Sequence, residues 1–541
     1  MHNLKLLLKL TRLININYKP VTIVILLNGI MELIIAYLIS VIVSIALSAN
    51  LAIVAEELKE SQLQMLGLLL LSVSLTKTYV NYIGQRLMGK LAMQANVLWA
   101  SKMLIGFLSK TKRQDSSKDS DEEIFNLHSV TSAAAQQAFL SMIRLTSDLG
   151  LIVIVSLYLA SISLSALLTA VVLLCMVFLV FTQFVFPAAE LYGAKSNNAS
   201  QINLGLAKNS LTCRRQIHFL QTKELVNSAF LENGAQLINY AQKSAALLSL
   251  PKISLDFIAI LLITFCVVLG TTLNLDIASM LSVVVLVLLR LLPLGASVAA
   301  SASTMRHSSD SLRRLAEIFD SLPAKIEKGT SLKPNLEHTT LTFPKTSLKI
   351  GEQSIILPEM EFDHGKLTLV KGPSGSGKSL IAEIIAGLEY PEITLLEQNQ
   401  YGQKNFNKTP EKIGFMEQKS GIFSNNIFEA IYLKVEITNS EKERVRDLVI
   451  NNDLFKFLQN RDLDEFDVNE LSGGEFQRII LIRSLLNQKP VMVFDEPASA
   501  LDHKNSLMMY EIIRKISKKS ITILISHDDF VEGFADKIYW L

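Results

Sequence analysis

Six long apolar runs lie in the first 300 residues of this 541-residue chain, and they constrain its fold more than any other feature. A helix needs about 20 mostly apolar residues to cross the hydrocarbon core of a bilayer. The runs are Val21–Leu47, Leu63–Ile83, Leu140–Leu159, Leu164–Phe186, Ile253–Leu273 and Ile277–Ala300. We therefore predict an α-helical membrane domain with six transmembrane helices. Short gaps join the third run to the fourth and the fifth to the sixth, so each of these pairs is expected to form a hairpin.

Basic residues are distributed unevenly between the segments that flank these spans. Most of them lie at the start of the chain, in 84–131 and in 188–252, whereas the loops on the other side are short and poor in Lys and Arg. Such an excess marks the cytoplasmic side of a membrane protein. We therefore expect both chain ends in the cytosol and expect the two long segments to continue the spanning helices far into it.

The first 19 residues are basic and amphipathic, and no apolar region with a small-residue cleavage site follows them. They are not typical of a signal peptide. We predict an N-terminal helix, residues 1–19, that is retained and lies at the membrane surface. The net charge of the whole chain is only +2, which gives no support for a nucleic-acid partner.

Several ionisable residues fall inside the apolar runs, among them Glu32, Lys77 and Arg290. Charged groups are costly in lipid, so they should face the interior of the helix bundle or a water-filled cavity. They are therefore candidate cavity residues. The pattern leaves two interpretations open: the three groups line a translocation path, or they pair with each other and stabilise the bundle.

The composition changes after the last span. Residues 316–335 are predicted to be a polar linker, and from residue 336 short β-rich runs alternate with helices, as in an α/β domain. Here Gly372-Pro-Ser-Gly-Ser-Gly-Lys378-Ser379 matches the phosphate-binding pattern GxxxxGK[ST], between a β-branched run and an amphipathic helix. Backbone N–H groups of such a loop surround phosphates, Lys378 should reach the β- and γ-phosphates, and Ser379 should bind Mg²⁺.

Two further predicted strands end in residues suited to nucleotide hydrolysis. The buried-type run 491–494 is followed by Asp495 and Glu496, and the run 521–526 is followed by His527. Acidic groups at a carboxyl strand end beside a phosphate loop suit a metal ion and an attacking water. We expect Asp495 to hold Mg²⁺, Glu496 to polarise the water and His527 to be catalytic.

These motifs, with LSGGE at 471–475 and SALD at 499–502, occur in the order and at the spacing of one known family. Residues 336–541 resemble the nucleotide-binding domain of an ABC transporter. With the six spans of residues 20–315, the chain resembles an ABC exporter half-transporter, and more weakly the bacterial exporters of small or cyclic peptides. The fold implied is a six-helix membrane domain with long cytosolic extensions and an α/β P-loop ATPase domain.

The resemblance implies roles for individual residues. Gln418 would sense Mg²⁺ and contribute to catalysis, His527 would contact the γ-phosphate, and Asp502 would couple two ATP sites. Phe343 would stack on adenine. Ser472, Gly473, Gly474 and Glu475 would bind ATP held by an opposing subunit. The remaining ATP contacts would come from Gly372, Ser374, Gly375, Ser376, Gly377, Lys378, Ser379 and Leu380.

The sequence also departs from the family pattern. Glu475 replaces a commoner glutamine, the FDVNE segment before LSGGE is unusual, and the chain ends at KIYWL, soon after the strand that follows His527. No protease-like domain precedes the spans, which argues against a leader-cleaving peptide exporter. The cytosolic tips that dock on the nucleotide domain in this family are expected near Asp121–Asn126 and Ser210–Arg214.

One phosphate loop and one LSGGE motif per chain imply a dimer, and we expect a homodimer that uses ATP and Mg²⁺. The function predicted is ATP-driven export of a peptide or amphipathic small molecule across the bacterial plasma (inner) membrane, in contact with membrane lipid. Three alternatives stay open: a flippase for lipids or polysaccharide precursors, a membrane ATPase that serves assembly or regulation, and a receptor-like or importing protein.

Overall fold

The structure is a computed structural model of the 541-residue chain. It describes residues 2–12, 14, 17–48, 56–108, 122–162, 168, 171–172, 175, 178–254, 257, 259–260, 264, 287–321, 339–350, 353–390, 392–399, 402–409, 411–418, 421 and 423–541. These residues belong to two units, a helical unit that ends near residue 324 and an α/β unit that follows it. Each unit is described by itself.

Nine helices can be followed through the described part of the helical unit. They are α1 (His2–Arg12), α2 (Lys19–Ser48), α3 (Glu56–Leu108), α4 (Leu140–Ile162), α5 (Phe186–Thr212), α6 (Arg214–Phe219), α7 (Lys223–Ile253), α8 (Leu292–His307) and α9 (Ser309–Ser321). Four short π-helical segments, Asn126–Val130, Ala133–Phe139, Phe181–Val185 and Val287–Leu291, join or precede them. Helix α2 contains the first predicted span, and α3 contains the second and continues 25 residues beyond Ile83, as expected of a cytosolic extension.

Four helices within the described ranges are long and apolar enough to cross a membrane. They are Lys19–Ile42, Gln64–Leu108, Glu122–Ile162 and Val287–His307. They correspond to the first, second, third and sixth predicted spans. Ten of the 23 residues of the fourth predicted span and 15 of the 21 residues of the fifth lie outside the described residues. The prediction of a helical domain with several membrane-capable helices is therefore confirmed.

The largest core of the helical unit includes the N-terminal helix. Helix α1 forms, but Leu7 and Leu10 on its apolar face are fully buried in a cluster with Trp99, Phe139 and Leu312. The Trp99 indole N–H donates to the Leu10 carbonyl at 3.2 Å. The apolar face of α1 is therefore covered by protein, and the position of the helix at the membrane surface stays a prediction.

Two boundaries also differ from those predicted. Helix α9 continues to Ser321, and Leu315 and Ala316 are buried in the helical unit, so residues 316–321 are not linker. Residues 322–338 lie outside the described ranges. The turn between α5 and α7, predicted as the second tip, is the segment 213–222, which begins within the predicted tip and extends a few residues beyond it. Of the first tip, only residues from Glu122 onward are described, and they are helical.

The α/β unit contains eleven strands and six helices in its described residues. The strands are β1 (Thr340–Phe343), β2 (Thr346–Ile350), β3 (Gln353–Leu357), β4 (Met360–Asp363), β5 (Leu367–Lys371), β6 (Leu395–Asn399), β7 (Gly402–Phe406), β8 (Ile413–Met416), β9 (Val491–Asp495), β10 (Ile521–Ile525) and β11 (Lys537–Trp540). The helices are α10 (Lys378–Ala386), α11 (Ile427–Tyr432), α12 (Asn439–Ile450), α13 (Lys456–Gln459), α14 (Gly473–Leu486) and α15 (His503–Ser517).

The strands form three sheets that determine where the nucleotide motifs meet. A parallel sheet has the order β11-β5-β10-β9-β8, an antiparallel sheet has the order β4-β1-β6-β7, and β2 pairs with β3 as a hairpin. The three central parallel strands β5, β10 and β9 are buried along their whole length. Near-continuous apolar runs are typical of such strands, because helices cover both faces of a parallel sheet.

Candidate functional site

The register of the parallel sheet brings three predicted motifs to one edge. In β10, Ile525 pairs with Val370 of β5 on one side and with Asp495 of β9 on the other. All three strands therefore end at the same level. Because ligands of parallel α/β sheets bind beyond the carboxyl ends of the strands, the loops after β5, β9 and β10 form the candidate ATP site.

The loop after β5 has the backbone shape of a phosphate cradle. Gly375 and Gly377 adopt left-handed conformations, with φ of +85° and +97°, that a side chain would strain. Helix α10 begins at Lys378, directly after Gly377, so its N-terminal N–H groups point toward the loop. The Lys378 ammonium donates to the carbonyls of Gly372 and Pro373, each at 2.8 Å, which holds it beneath the loop. Ser379 and Leu380 lie in the first turn of α10.

Glu496 brings three predicted catalytic residues together. Its carboxylate accepts a hydrogen bond from the Gln418 amide at 2.5 Å, and its other oxygen lies 3.3 Å from Nδ1 of His527. Its backbone has φ +46°, a strained conformation for a residue that carries a side chain. The Glu496 N–H donates to the Ile525 carbonyl at 2.9 Å, which fixes this turn to the end of β10. Gln418, Glu496 and His527 therefore form one group, although they are separated by up to 109 positions in the chain.

The position of His527 is supported from both sides. Its neighbours Ser526 and Asp528 both hydrogen-bond to the Tyr510 hydroxyl, at 3.2 Å and 3.0 Å. Burial raises the pKa of Tyr510, so this hydroxyl stays protonated and can donate to Asp528. Sequence analysis did not identify Tyr510, because one tyrosine in an amphipathic helix carries no signal for contacts beyond that helix.

The residues expected to hold Mg²⁺ supply a suitable donor set. Ser379 offers a hydroxyl oxygen, Asp495 a carboxylate and Gln418 an amide oxygen, and all three lie at the edge just described. Asp495 is 4% exposed and ends β9. Mg²⁺ prefers oxygen ligands of this kind and usually binds one or two carboxylates together with substrate phosphates. The chemistry of the residues therefore fits the ion.

The LSGGE motif forms the start of a helix. Ser472 caps α14: its hydroxyl accepts from the Glu475 N–H at 3.3 Å, while the Glu475 carboxylate accepts from the Ser472 N–H at 2.9 Å and from its hydroxyl at 2.8 Å. This reciprocal capping box fixes the helix N-terminus. Burial raises the pKa of Glu475, but the hydrogen bonds from Ser472 and the nearby Arg461 and Arg478 outweigh it and hold this pKa below its usual value. Glu475 therefore remains ionised in this capping position.

The segment before LSGGE is attached to the segment after Gln418. The Val468 N–H donates to the Asn425 carbonyl at 2.8 Å, and Asn426 forms an isolated β-bridge with Asp467. The unusual FDVNE stretch is thus an ordered connection between two motif regions. Its contact could not be predicted, because the two segments are about 40 residues apart.

Gln477 is a further residue that sequence analysis missed. It is buried, its amide donates to the Ser499 hydroxyl at 2.7 Å, and its side-chain oxygen accepts from the Ala500 N–H at 2.9 Å. It therefore joins the start of α14 to the segment that follows Glu496. Asp502, at the end of that segment, caps α15 by accepting from the Asn505 N–H at 2.8 Å.

Phe343 corrects a predicted ATP contact. The residue ends β1 and is fully buried in a core with Leu341, Met360 and Phe362. A ring without exposed surface cannot stack on adenine, so the expectation was wrong. A spacing from the phosphate loop locates the strand but does not tell which face of it is covered.

The β2–β3 hairpin instead places aliphatic groups beside the phosphate loop. A methyl group at Gly377 would lie 3.1 Å from Leu357 Cδ2 and 3.4 Å from Ile355 Cγ2. Leu357 is fully buried, whereas Ile355 is partly buried. Of these two residues only Ile355 has exposed surface, so the exposed group beside the loop at this point is aliphatic.

Lys371, the residue before Gly372, forms an ion cluster in which its own side chain is buried and the two carboxylates are exposed. Its ammonium lies 2.7 Å from Asp529 Oδ1 and 2.7 Å from Glu532 Oε1, and 4.9 Å from the centre of the Trp540 ring. Hydrogen bonds to Asp529 and Glu532 raise the pKa of Lys371, so it stays charged although its side chain is only 3% exposed. The cluster ties the start of the phosphate loop to the segment after His527.

In the helical unit, the three predicted intramembrane charges meet. Glu32 is 3% exposed, forms a salt bridge with Lys77, and has its other oxygen 3.4 Å from the Arg290 guanidinium. These residues come from α2, α3 and the π-helical segment Val287–Leu291. The ion-pairing that the sequence left open is therefore present.

Comparison with known proteins agrees with this geometry. The family model described as ABC transporter matches residues 358–499. An uncharacterised ABC transporter ATP-binding protein of Sinorhizobium fredii is 30% identical over 197 residues, which are 36% of this chain and 34% of that protein. The zinc import ATP-binding protein ZnuC of Wigglesworthia glossinidia brevipalpis is 31% identical over 173 residues, 31% of this chain and 67% of that protein. The macrolide export ATP-binding/permease protein MacB of Campylobacter jejuni is 29% identical over 203 residues, 35% of this chain and 31% of that protein.

A solved structure resembles nearly the whole chain. The bacterial Atm1-family ABC exporter with ATP bound superposes with a TM-score of 0.81, covering 97% of this chain and 93% of that one, at 16% identity. At this identity the likeness shows the fold, which is that of an exporter-type half-transporter. The chain belongs to the ABC transporter family. The curated matches span only about a third of the first relative's length, so they concern the ATP-binding domain rather than a whole transporter.

Proposed function

We propose that the chain is an ATP-driven exporter that moves a peptide or amphipathic small molecule across the bacterial inner membrane. One observation carries the proposal: Gln418, Glu496 and His527 converge beside the phosphate loop in a chain that also has membrane-capable helices. An ATPase domain fused to such helices is suited to coupling hydrolysis to movement across a membrane. The exporter fold supports the direction of transport, and the nature of the cargo is part of the proposal.

The chemistry follows from the position of each group. ATP phosphates would lie in the loop Gly372–Ser379, where N–H groups and Lys378 offset their charge. Glu496 would accept a hydrogen bond from the attacking water and orient it toward the γ-phosphate, while Gln418 and His527 hold the carboxylate in place. Mg²⁺, held through Ser379, Asp495 and Gln418, would neutralise charge on the β- and γ-phosphates.

A second copy of the chain is the proposed partner. Each chain has one phosphate loop and one LSGGE helix start, and we propose that Ser472 and the N–H groups of Gly473 and Gly474 bind ATP held by the other copy. A helix N-terminus suits the γ-phosphate because of its free N–H groups and partial positive charge. ATP that binds both surfaces favours the closed dimer, and this differential affinity would shift the helical domains between two states.

Transport is tested with the full chain in inside-out lipid vesicles. ATP-dependent accumulation of a test peptide or drug inside the vesicles, absent with Glu496→Gln, would support export. Hydrolysis that depends on Glu496 but moves no compound in a panel of peptides, lipids and cationic drugs would favour an assembly or regulatory ATPase. Loss of a labelled lipid from one leaflet would favour a flippase.

A further inference from the structure

The intramembrane cluster of Glu32, Lys77 and Arg290 has one more positive charge than negative. Glu32 is within salt-bridge distance of both Lys77 and Arg290, so one acidic side chain faces two basic ones. Charges inside a membrane domain are costly unless they are balanced. Within the described residues, no second carboxylate lies within salt-bridge distance of Lys77 or Arg290.

The two cations are not held equally. Lys77 makes a close hydrogen bond with Glu32 Oε2, whereas the contact between Arg290 and Glu32 Oε1 is 3.4 Å, longer than a strong charge-assisted bond. The Arg290 Nε is buried and has no hydrogen-bond partner among the described residues. A guanidinium pairs best with an oxyanion through two parallel N–H groups, and within the described residues the Nε edge of this fork has no acceptor.

The surroundings of the cluster are apolar. Ala36, one turn after Glu32, and Val287, one turn before Arg290, are buried in one small cluster with Leu291. A charge–charge contact gains strength in such a setting, because the local dielectric constant is low.

We infer that Arg290, together with Lys77, is the site that binds the single negative charge of an amphipathic cargo. This inference rests on the proposed export function and names the chemical class of its substrate. The head group can be a carboxylate or another oxyanion. Glu32 acts as a competing counter-ion, which holds the cations when no cargo is bound and loosens its contact with Arg290 when the anion arrives.

A purely structural ion cluster and an anion site respond differently to charge removal. If the cluster is purely structural, Glu32→Gln and Arg290→Gln each break it, and both substitutions change anion binding in the same direction. If the cluster is an anion site, Glu32→Gln removes the competing carboxylate and should increase the affinity for the anion about tenfold. Arg290→Gln removes the guanidinium that binds the anion and should lower the affinity by about 10- to 100-fold, as expected for the loss of hydrogen bonds to a charged group.

The probe is N-dodecanoylglycine, compared with N-dodecanoylglycinamide, which has the same tail and no charge. Binding is measured as the shift in the unfolding temperature of the full chain in detergent micelles against probe concentration. This readout needs neither ATP hydrolysis nor transport. Arg144→Gln is the matched control, since Arg144 is another arginine of the membrane domain but contacts Gln85 instead of the cluster. Arg290→Lys keeps the positive charge, so it serves as a second variant if Arg290→Gln does not fold.

We expect the carboxylate to bind at least tenfold more tightly than the amide in the wild type and in Arg144→Gln. That preference should grow with Glu32→Gln, persist in weakened form with Arg290→Lys and disappear with Arg290→Gln. Equal binding of carboxylate and amide to the wild type would overturn the inference, as would weaker carboxylate binding to Glu32→Gln. Hydrolysis of ATP is assayed separately. Its absence in the wild type would count against the proposed function, whereas the binding result would still show whether the cluster binds an anion.

Discussion

Replacement of Lys371 tests how the phosphate loop is joined to the segment that carries His527. Lys371→Met removes two hydrogen bonds to carboxylates but keeps a side chain of similar length. The Asp529 side chain is 96% exposed and that of Glu532 is 42% exposed, so both regain water when the ammonium is lost. Their bonds therefore contribute closer to the surface value of about 0–1 kcal/mol each, and we expect a loss of about 1–2 kcal/mol.

Lys371→Ala should cost clearly more than Lys371→Met. It also removes about three buried methylene groups, each stabilising by about 0.8 kcal/mol, so the total loss is about 3–4 kcal/mol. For a domain of this size 1 kcal/mol corresponds to about 2–4 °C in the unfolding midpoint. The alanine variant should therefore unfold roughly 6–16 °C earlier than the wild type, and the methionine variant about 2–8 °C earlier.

The assay is thermal unfolding of the full chain in micelles, followed by steady-state ATP hydrolysis in vesicles. Because Lys371 acts on His527 through the segment after it, Lys371→Met should lower kcat and leave KM for ATP nearly unchanged. Lys366→Met is the control, since Lys366 is 55% exposed and pairs with Asp363 away from the loop. Equal destabilisation by methionine and alanine would refute the reasoning about the buried stem. An unchanged kcat in Lys371→Met would refute the link to His527.

Three further predictions concern single residues of the α/β unit. Phe343→Leu should lower the stability by about 1–2 kcal/mol and leave the Kd for ATP within about twofold of the wild type, because the ring lies in the core. A Kd about tenfold higher with unchanged stability would instead support stacking of Phe343 on adenine. Asp502→Ala should cost about 1 kcal/mol through loss of the α15 cap, and Asp502→Ser should retain most of it, both measured by thermal unfolding. Gln477→Leu should lower the stability by about 1–3 kcal/mol, because it leaves the Ala500 N–H without an acceptor. Gln477→Glu keeps an acceptor for that N–H and should lower the stability less. Equal thermal unfolding midpoints for the two variants would contradict this.

The local motifs of the ATPase domain could be read from the sequence because each is a short segment with its own conformation. Gly375 and Gly377 are needed for left-handed backbone, and the apolar run before Asp495 forms a buried parallel strand. The convergence of Gln418, Glu496 and His527 follows once three parallel strands share one sheet. For these residues the structure adds the distances and shows that Glu496 is the member the other two contact.

Contacts between distant segments could not be predicted from the same sequence. The partners of Lys371 are 158 and 161 residues away, and a lysine before a phosphate loop carries no sign of where they lie. The amphipathic pattern of α1 predicted a helix correctly, but the same apolar face suits lipid or protein, and only the buried Leu7 and Leu10 decide between them. The prediction that Phe343 stacks on adenine was wrong for a related reason, because the distance of a strand from the phosphate loop in the sequence does not tell which face of the strand is covered.

The most direct test of the account is ATP hydrolysis by the purified full chain in lipid vesicles, wild type against Glu496→Gln. Glu496 accepts from Gln418 at 2.5 Å and faces His527 at 3.3 Å, and the glutamine variant keeps the shape of this group while removing the carboxylate. The account predicts Mg²⁺-dependent turnover in the wild type and a loss of at least about 100-fold in the variant, with ATP still bound. Undiminished turnover in Glu496→Gln would contradict the role of Glu496 and, with it, the proposed ATPase mechanism.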